Sequence, residues 1–284
     1  MINIFPVIIV YNKSIKESVT LLQLANCNIP HENTIVVDNS TQDYGVESFC
    51  SECGYKYISM HGNKGLSKAY NQALTYLKPI AKSKDLVMWL DDDTNVTDEY
   101  FELLRKEAEK DDDHDIYMPI VIGQDSVIYS PNEGHFFRSK FMKSLHDEID
   151  LRKINGINSC LAVRMRIYSD YYYSEDLFMD LTDNRFFDDM RKRNVNFCIL
   201  RTPICQTFFQ RGDNLEPNKL IARLRIKIKD FMIYANHKGK LYLFAGLIKC
   251  IGWGVSLGKN AKSPKVFFYC CFKGTKELFK NMFR

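Results

Sequence analysis

Three consecutive carboxylates, Asp91-Asp92-Asp93, close an apolar run that starts at Leu86. Neighbouring like charges repel unless a cation or hydrogen-bond donors lie among them, and hard divalent ions prefer such oxygen ligands. The Asp-x-Asp spacing of Asp91 and Asp93 suits a metal that also grips a diphosphate, where the ion neutralises a departing phosphate oxygen. A solvated acidic turn is the plain alternative. Asp111-Asp112-Asp113 has that reading, because it follows a charged helix and no apolar strand. A second acidic group runs from Glu175 to Asp183, ahead of a helical stretch. A carboxylate near a helix N-terminus can take a proton from a hydroxyl without forming a covalent intermediate.

Other chemistry is poorly supported. The six His residues are dispersed, and none stands in a two-His zinc spacing. Cys50-Ser51-Glu52-Cys53 has a redox spacing, but it lies between a predicted helix and strand, where packing explains it better. The other Cys residues lack the second half of a zinc pattern, so reduced thiols are expected.

The elements that would position the acids form a succession. Ile4 to Val10 reads as a strand ending at Tyr11-Asn12, followed by an amphipathic helix with Val19, Leu22 and Leu24 on its apolar face. Thr34 to Val37 is a strand that stops at Asp38-Asn39-Ser40. Tyr55 to Ser59 leads through Gly62-Asn63-Lys64-Gly65 into a helix from about Ser67 to Leu77, and Leu86 to Leu90 runs into the acid triplet. This pattern predicts an α/β fold with a mostly parallel sheet flanked by helices. Ligands of such sheets collect beyond the carboxyl ends of the strands, so Tyr11, Asn12, Asp38, Asn63 and the acids should share one crevice. No glycine-rich dinucleotide fingerprint or phosphate loop follows any of these strands, which argues against nicotinamide dehydrogenases and P-loop hydrolases.

Val7-Ile8-Ile9-Val10-Tyr11-Asn12, Ile35-Val36-Val37-Asp38-Asn39-Ser40, the stretch from Asn63 to Asn71 and Trp89-Leu90-Asp91-Asp92-Asp93 resemble, in order and spacing, the donor half of family-two inverting glycosyltransferases of the GT-A fold. The resemblance covers roughly the first 100 residues. It implies that Tyr11 and Asn12 line the nucleotide pocket, that Asp38 binds base or ribose, and that Asn63 and Asn71 shape the floor beside the donor. It further implies that Asp91 serves ribose and metal, with Asp92 beside it and Asp93 on a Mn2+ or Mg2+ ion. Residues Glu175 to Phe186 are similar to the acceptor-side stretch of bacterial rhamnosyl- and galactofuranosyltransferases, which makes Asp183 the expected general base and Asp180 its reserve. Ile154 to Cys160 resembles the segment that approaches the acceptor sugar. Relatives often carry a metal-binding His soon after the base helix, whereas this chain has Pro203-Ile204-Cys205-Gln206-Thr207. The implied reaction moves rhamnose, galactofuranose or another hexose from a dTDP- or UDP-sugar to a lipid-linked bacterial glycan. A catalytically inactive nucleotide-sugar-binding relative is the alternative.

Composition divides the chain. Hydrophobic residues make up 45% of its 284 residues and charged residues 26%, which suits a globular protein. Residues 215–284 hold 15 Lys or Arg against 3 Asp or Glu, a net of +12; with the whole chain at +4, residues 1–214 carry −8. We therefore expect a catalytic domain over 1–214, with a donor half at 1–100 and an acceptor half at 101–214, and a basic helical region over 215–284. Leu241 to Leu257 is apolar but interrupted by Lys249, short of the roughly 20 apolar residues that span a bilayer. Basic and aromatic residues by turns fit an anionic membrane surface, with nucleic acid as a less favoured partner. The start of the chain has no basic region before its apolar run, so a cytoplasmic protein on the inner face of the cell membrane is expected.

Overall fold

The computed structural model describes residues 2–110, 113–206 and 216–283. Its elements in chain order are β1 (Ile4–Val10), α1 (Val19–Leu24), β2 (Ile35–Asp38), α2 (Val46–Cys53), β3 (Lys56–Ser59), α3 (Leu66–Leu77), β4 (Leu86–Leu90) and α4 (Asp98–Lys110). Then come β5 (Ile116–Gly123), β6 (Ile128–Ser130), β7 (Asn132–His135), β8 (Arg138–Phe141), β9 (Ile154–Asn155), β10 (Leu161–Arg164), α5 (Thr182–Lys192) and β11 (Phe197–Gln206). Three helices finish the chain: α6 (Pro217–Lys238), α7 (Lys240–Asn260) and α8 (Pro264–Met282).

Among the described residues the main sheet runs β11-β5-β10-β4-β1-β2-β3, with β6 on β5. The pairs β1/β2, β1/β4, β2/β3 and β5/β11 are parallel; β10 lies antiparallel between β4 and β5. The sheet is the mostly parallel, helix-flanked GT-A arrangement expected from the sequence. Chain order reverses at β1, whose neighbours are β2 on one side and β4 on the other. At such a reversal, ligands of open sheets bind beyond the strand ends, here those of β1 and β4. A smaller sheet, β8-β7-β9, stands apart.

Side chains alternate across each strand, so the apolar residues of β4 divide between two cores. Val87 and Trp89 join α3 and the aromatic side chains of Tyr168, Tyr173 and Phe186, while Leu86, Met88 and Leu90 join α1 and α4. With both faces covered, the strands read as continuous apolar runs. α1 departs from the expected face: Val19 and Leu22 are exposed, and Thr20, Leu21 and Leu24 are buried. Thr20 turns inward because its hydroxyl serves the acid turn described below.

Two compact units divide the chain, residues 1–173 with 186–208 and residues 174–185 with 209–284. The expected boundary at 214/215 lies outside the described residues. In the second unit, Pro217 and Pro264 occupy the first turns of α6 and α8, where no amide partner is lost. Gly239, at φ +121°, separates α6 from α7. α7 buries Leu243, Gly246, Cys250, Gly254 and Gly258, one face at helical spacing. A Cβ on Gly254 would lie 3.0 Å from Cys270 Cβ, so α7 and α8 approach closely there. Their opposite faces expose Leu241, Ile248 and Val255 on α7 and Phe268, Phe272 and Phe279 on α8.

Arg164, fully buried at the end of β10, ties the first unit's strand ends together. Its guanidinium donates to the carbonyl oxygens of Lys84 at 2.6 Å and Ala108 at 2.7 Å and to the Tyr117 hydroxyl at 2.9 Å. Arg164→Met leaves those oxygens without their donor in the interior. Urea denaturation should show a loss of about 3 kcal/mol or more; a loss below about 1 kcal/mol would mean that other donors replace it.

Candidate active site

The acid turn is held from four directions. Lys13, just past β1, pairs with Asp92 Oδ1 at 2.7 Å. Ser18, the N-cap of α1, donates to Asp92 O at 3.1 Å, and the Thr20 hydroxyl lies 2.5 Å from Asp91 O while accepting from Thr94 N at 2.9 Å. The Ser159 hydroxyl donates to Asp91 Oδ2. Gln206, the last residue of β11, places Nε2 2.9 Å from Asp91 Oδ2 and 3.1 Å from Asp93 Oδ1. The two carboxylates expected to flank a metal thus converge on a single amide nitrogen.

Electrostatics at the turn are unfavourable without a cation. Burial, then repulsion by Asp91 and Asp92, push Asp93 up to about 6. Burial also lifts Asp92 above the ordinary carboxylate range despite Lys13. Gln206 Oε1 is buried without a hydrogen-bond partner among the described residues. Half a turn of the amide would bring that oxygen to where Nε2 stands, giving an all-oxygen donor set beside Asp91 and Asp93. Such a set fits a hard divalent ion. Among the described residues no three His, Cys, Asp or Glu side chains gather around a metal position. Asp111 and Asp112 lie outside the described residues.

The other donor-side residues form a chain of hydrogen bonds across the strand ends. Asp38 Oδ1 accepts from Ser40 N at 2.9 Å and Oδ2 from the Tyr57 hydroxyl at 3.0 Å. Asn12, at φ +47°, accepts from Thr41 N at 2.8 Å and donates its own backbone N–H to Ser40 Oγ at 2.9 Å. Asn63 Oδ1 accepts from Asn39 Nδ2 at 3.1 Å, and Asn39 Oδ1 accepts from Lys64 N at 2.8 Å. Tyr11 is 49% exposed, so its ring is open to a ligand. Asn71 behaves differently from the expected floor residue. Its amide is engaged with the backbone of Tyr173, donating to the carbonyl at 2.9 Å and accepting from the N–H at 2.8 Å, so it orders that segment.

Asp180 and Asp183 belong to the second unit. Asp183 is half-buried in the first turn of α5, and Leu181 before it has φ +64°, a conformation costly for a branched side chain. Asp180 is committed to an ion pair, accepting from Arg223 of α6 at 2.5 and 2.6 Å. Asp230, buried in α6, accepts the backbone N–H groups of Phe178, Met179 and Asp180 at 3.1, 2.8 and 2.9 Å. A cavity of about 380 Å³ is lined here by Asp176, Leu177 and Arg185 and by Tyr234, Asn236 and His237 of α6.

Lys13, Ser159, Gln206, Arg223 and Asp230 were not singled out as site residues from sequence. Gln206 carried one legible signal: it is a lone amide ending a strand, where relatives often carry a ligand. Tyr171 and Tyr173 are core residues. Cys50 is an inert thiol, pushed by burial up to about 12.

Residues 7–172 match the family model for Glycosyl transferase family 2. Among solved structures, S. aureus TarS 1–349 is similar at 16% identity over 81% of this chain and 66% of that one, with TM-score 0.52. The chain thus spans slightly under two thirds of that structure. The same TarS fragment in complex with UDP-GlcNAc gives 17% identity, 81% and 67% coverage and TM-score 0.51. The Pyrobaculum calidifontis mannosyltransferase PcManGT, in complex with GDP-Man and Mn2+, gives 13% identity, 98% and 87% coverage and TM-score 0.55. At such identities the likeness is one of fold. No curated protein matches significantly.

Asp93 yields a stability prediction. Because its folded-state value lies above that of the unfolded chain, metal-free protein loses stability as pH rises from about 4 to about 6. Asp93→Asn should therefore raise the stability of metal-free protein at pH 7.5 by about 1–2 kcal/mol, a figure discounted for partial exposure. At pH 4 the difference should vanish. Equal melting temperatures at pH 7.5 would show that Gln206 and Lys13 already offset the repulsion.

Proposed function

From the premise that this chain belongs to glycosyl transferase family 2, shown by the match over residues 7–172, we propose an inverting transfer of one sugar from a UDP- or dTDP-sugar to a lipid-linked glycan. The observation that carries the reading is the convergence of Asp91 and Asp93 on Gln206 Nε2 at the switch point of the sheet. The donor's nucleotide lies along Tyr11, Asn12, Asp38 and Asn63, where side chains at the ends of β1 to β3 are pre-ordered by one another. Asp91 and Asp93, with Gln206 turned to offer its oxygen, would hold a Mn2+ or Mg2+ ion. When bound, that ion supplies charge neutralisation for the diphosphate leaving group. The TarS and PcManGT complexes, with UDP-GlcNAc and with GDP-Man and Mn2+, support a nucleotide-sugar donor and a divalent metal without choosing the sugar.

Asp183 is the base. It accepts the proton of the acceptor hydroxyl, whose oxygen bonds to the anomeric carbon as the bond to the diphosphate oxygen breaks, so the centre inverts. Rhamnose or galactofuranose remains the favoured transferred sugar, on the likeness of residues 175–186 to the enzymes that move them. Asp183→Asn should retain thermal stabilisation by Mn2+ with UDP or dTDP, while acceptor-dependent nucleotide release falls on the order of 10²–10⁴-fold. Full release in that variant would remove the base assignment, and absence of any nucleotide-dependent shift in the wild type would remove the donor reading.

We further propose a peripheral seat for the second unit on the cytoplasmic face of the membrane. α7 is 21 residues long, long and apolar enough by length and composition to cross a bilayer. Close packing of its glycine face on α8 favours lying in the interface instead. The outward Phe and Leu residues then enter the headgroup boundary while Lys and Arg meet anionic lipid, each contributing about 1 kcal/mol. Phe268→Ser with Phe272→Ser should cut flotation with phosphatidylglycerol liposomes several-fold and leave flotation with added salt lower still. Unchanged flotation would exclude this face as the docking surface.

A further inference from the structure

A carboxylate with no exposed surface in the middle of a basic helix requires a reason. Asp230 stands on the buried face of α6 between Ile228 and Phe231, yet forms no ion pair among those found for the described residues. Three consecutive backbone N–H groups, those of Phe178, Met179 and Asp180, point at its two oxygens. Those three hydrogen bonds work against the desolvation of the carboxylate, although burial still holds Asp230 above the ordinary carboxylate range. Seven residues earlier on the same helix, two turns away, Arg223 takes Asp180 in a bidentate pair. One helix therefore grips both the backbone and a side chain of the same short segment.

That segment ends at Leu181 in the left-handed region and passes directly into α5, where Asp183 occupies the first turn. A strained residue persists only where its surroundings over-determine it. The grip from α6 supplies that determination, and residues flanking the segment, Asp176, Leu177 and Arg185, line the 380 Å³ cavity together with Tyr234, Asn236 and His237 of α6.

We propose that Asp230 and Arg223 are positioning residues for transfer: α6 fixes residues 178–180, and through them the start of α5, so that Asp183 is held ready to deprotonate the acceptor hydroxyl. Asp180 acts in this clamp and does not move protons. The proposal rests on the reading of Asp183 as base.

Hydrogen exchange and product partition test it in the full-length protein. In Asp230→Asn, one neutral amide oxygen replaces two charged ones, and the amides of Phe178, Met179 and Asp180 should exchange at least tenfold faster. Those of α7 and α8 should hold their rates. Unchanged exchange at 178–180 would overturn the clamp. With Mn2+, a UDP- or dTDP-sugar and an octyl glycoside as probe acceptor, the ratio of glycosyl transfer to donor hydrolysis should fall about tenfold. This ratio is taken within one population of molecules, so loss of folded enzyme does not move it. A ratio that stays constant while exchange accelerates would reduce Asp230 to a structural residue.

Arg223→Gln, Asp180→Asn and the double variant separate the remaining roles. Equal losses in all three support a shared clamp, because partners in one interaction are not additive. A loss in Asp180→Asn far beyond that in Arg223→Gln would instead make Asp180 the base and overturn the proposal. Asp183→Asn measured alongside keeps the two questions apart: transfer that survives in Asp183→Asn refutes the base reading, whatever exchange at 178–180 shows about the clamp.

Discussion

Keeping three carboxylates together at the end of one buried strand is the constraint on which the first unit depends. Two unit charges 4 Å apart repel by about 4 kcal/mol in surroundings of effective dielectric about 20. Hydrogen bonds to charged groups contribute about 1.5–3 kcal/mol each, so several donors are needed to offset such repulsion. They come from separate elements: Lys13 beyond β1, Ser18 and Thr20 on α1, Ser159 before β10 and Gln206 at the end of β11. The offset is incomplete, as the raised value of Asp93 shows.

Much of this was legible in the residues. β1, β2, β4 and α3 lie within a residue of where apolar runs and turn residues put them, because strands buried on both faces and a helix with a strong apolar face leave unmistakable patterns. The acids were visible for the same reason, being polar residues that end apolar runs. Gln206, Ser159 and Lys13 carry no periodic signal; what makes them matter is strand order, which brings residues 115 positions apart to one carboxylate. α1 misled in an instructive way. Its apolar count favoured Val19 and Leu22, but a threonine that serves buried carbonyl groups outweighs two modest hydrophobes, and the helix turned accordingly.

The second unit divides similarly. Its charge, its helices and its aromatic content follow from composition. Its association with residues 174–185 does not, because that rests on Asp230, about 50 positions away, and on main-chain groups that every sequence possesses. The one clue is chemical: an acid on the apolar face of a basic helix has to be satisfied by something, and α6 itself offers no partner for it. Asn71 teaches the same lesson in the first unit, where a side chain suited to touching a ligand is occupied instead with the backbone of Tyr173.

The grip of α6 on residues 178–180 bears on how such a molecule can be taken apart or recombined. A hybrid that joined this catalytic sheet to another protein's terminal helices would inherit three amides and one aspartate whose counterparts had stayed behind. The helical end is thus no interchangeable cassette: whoever exchanges it must carry over the stretch from Arg223 to Asp230, or bring a new tail together with its own version of the loop.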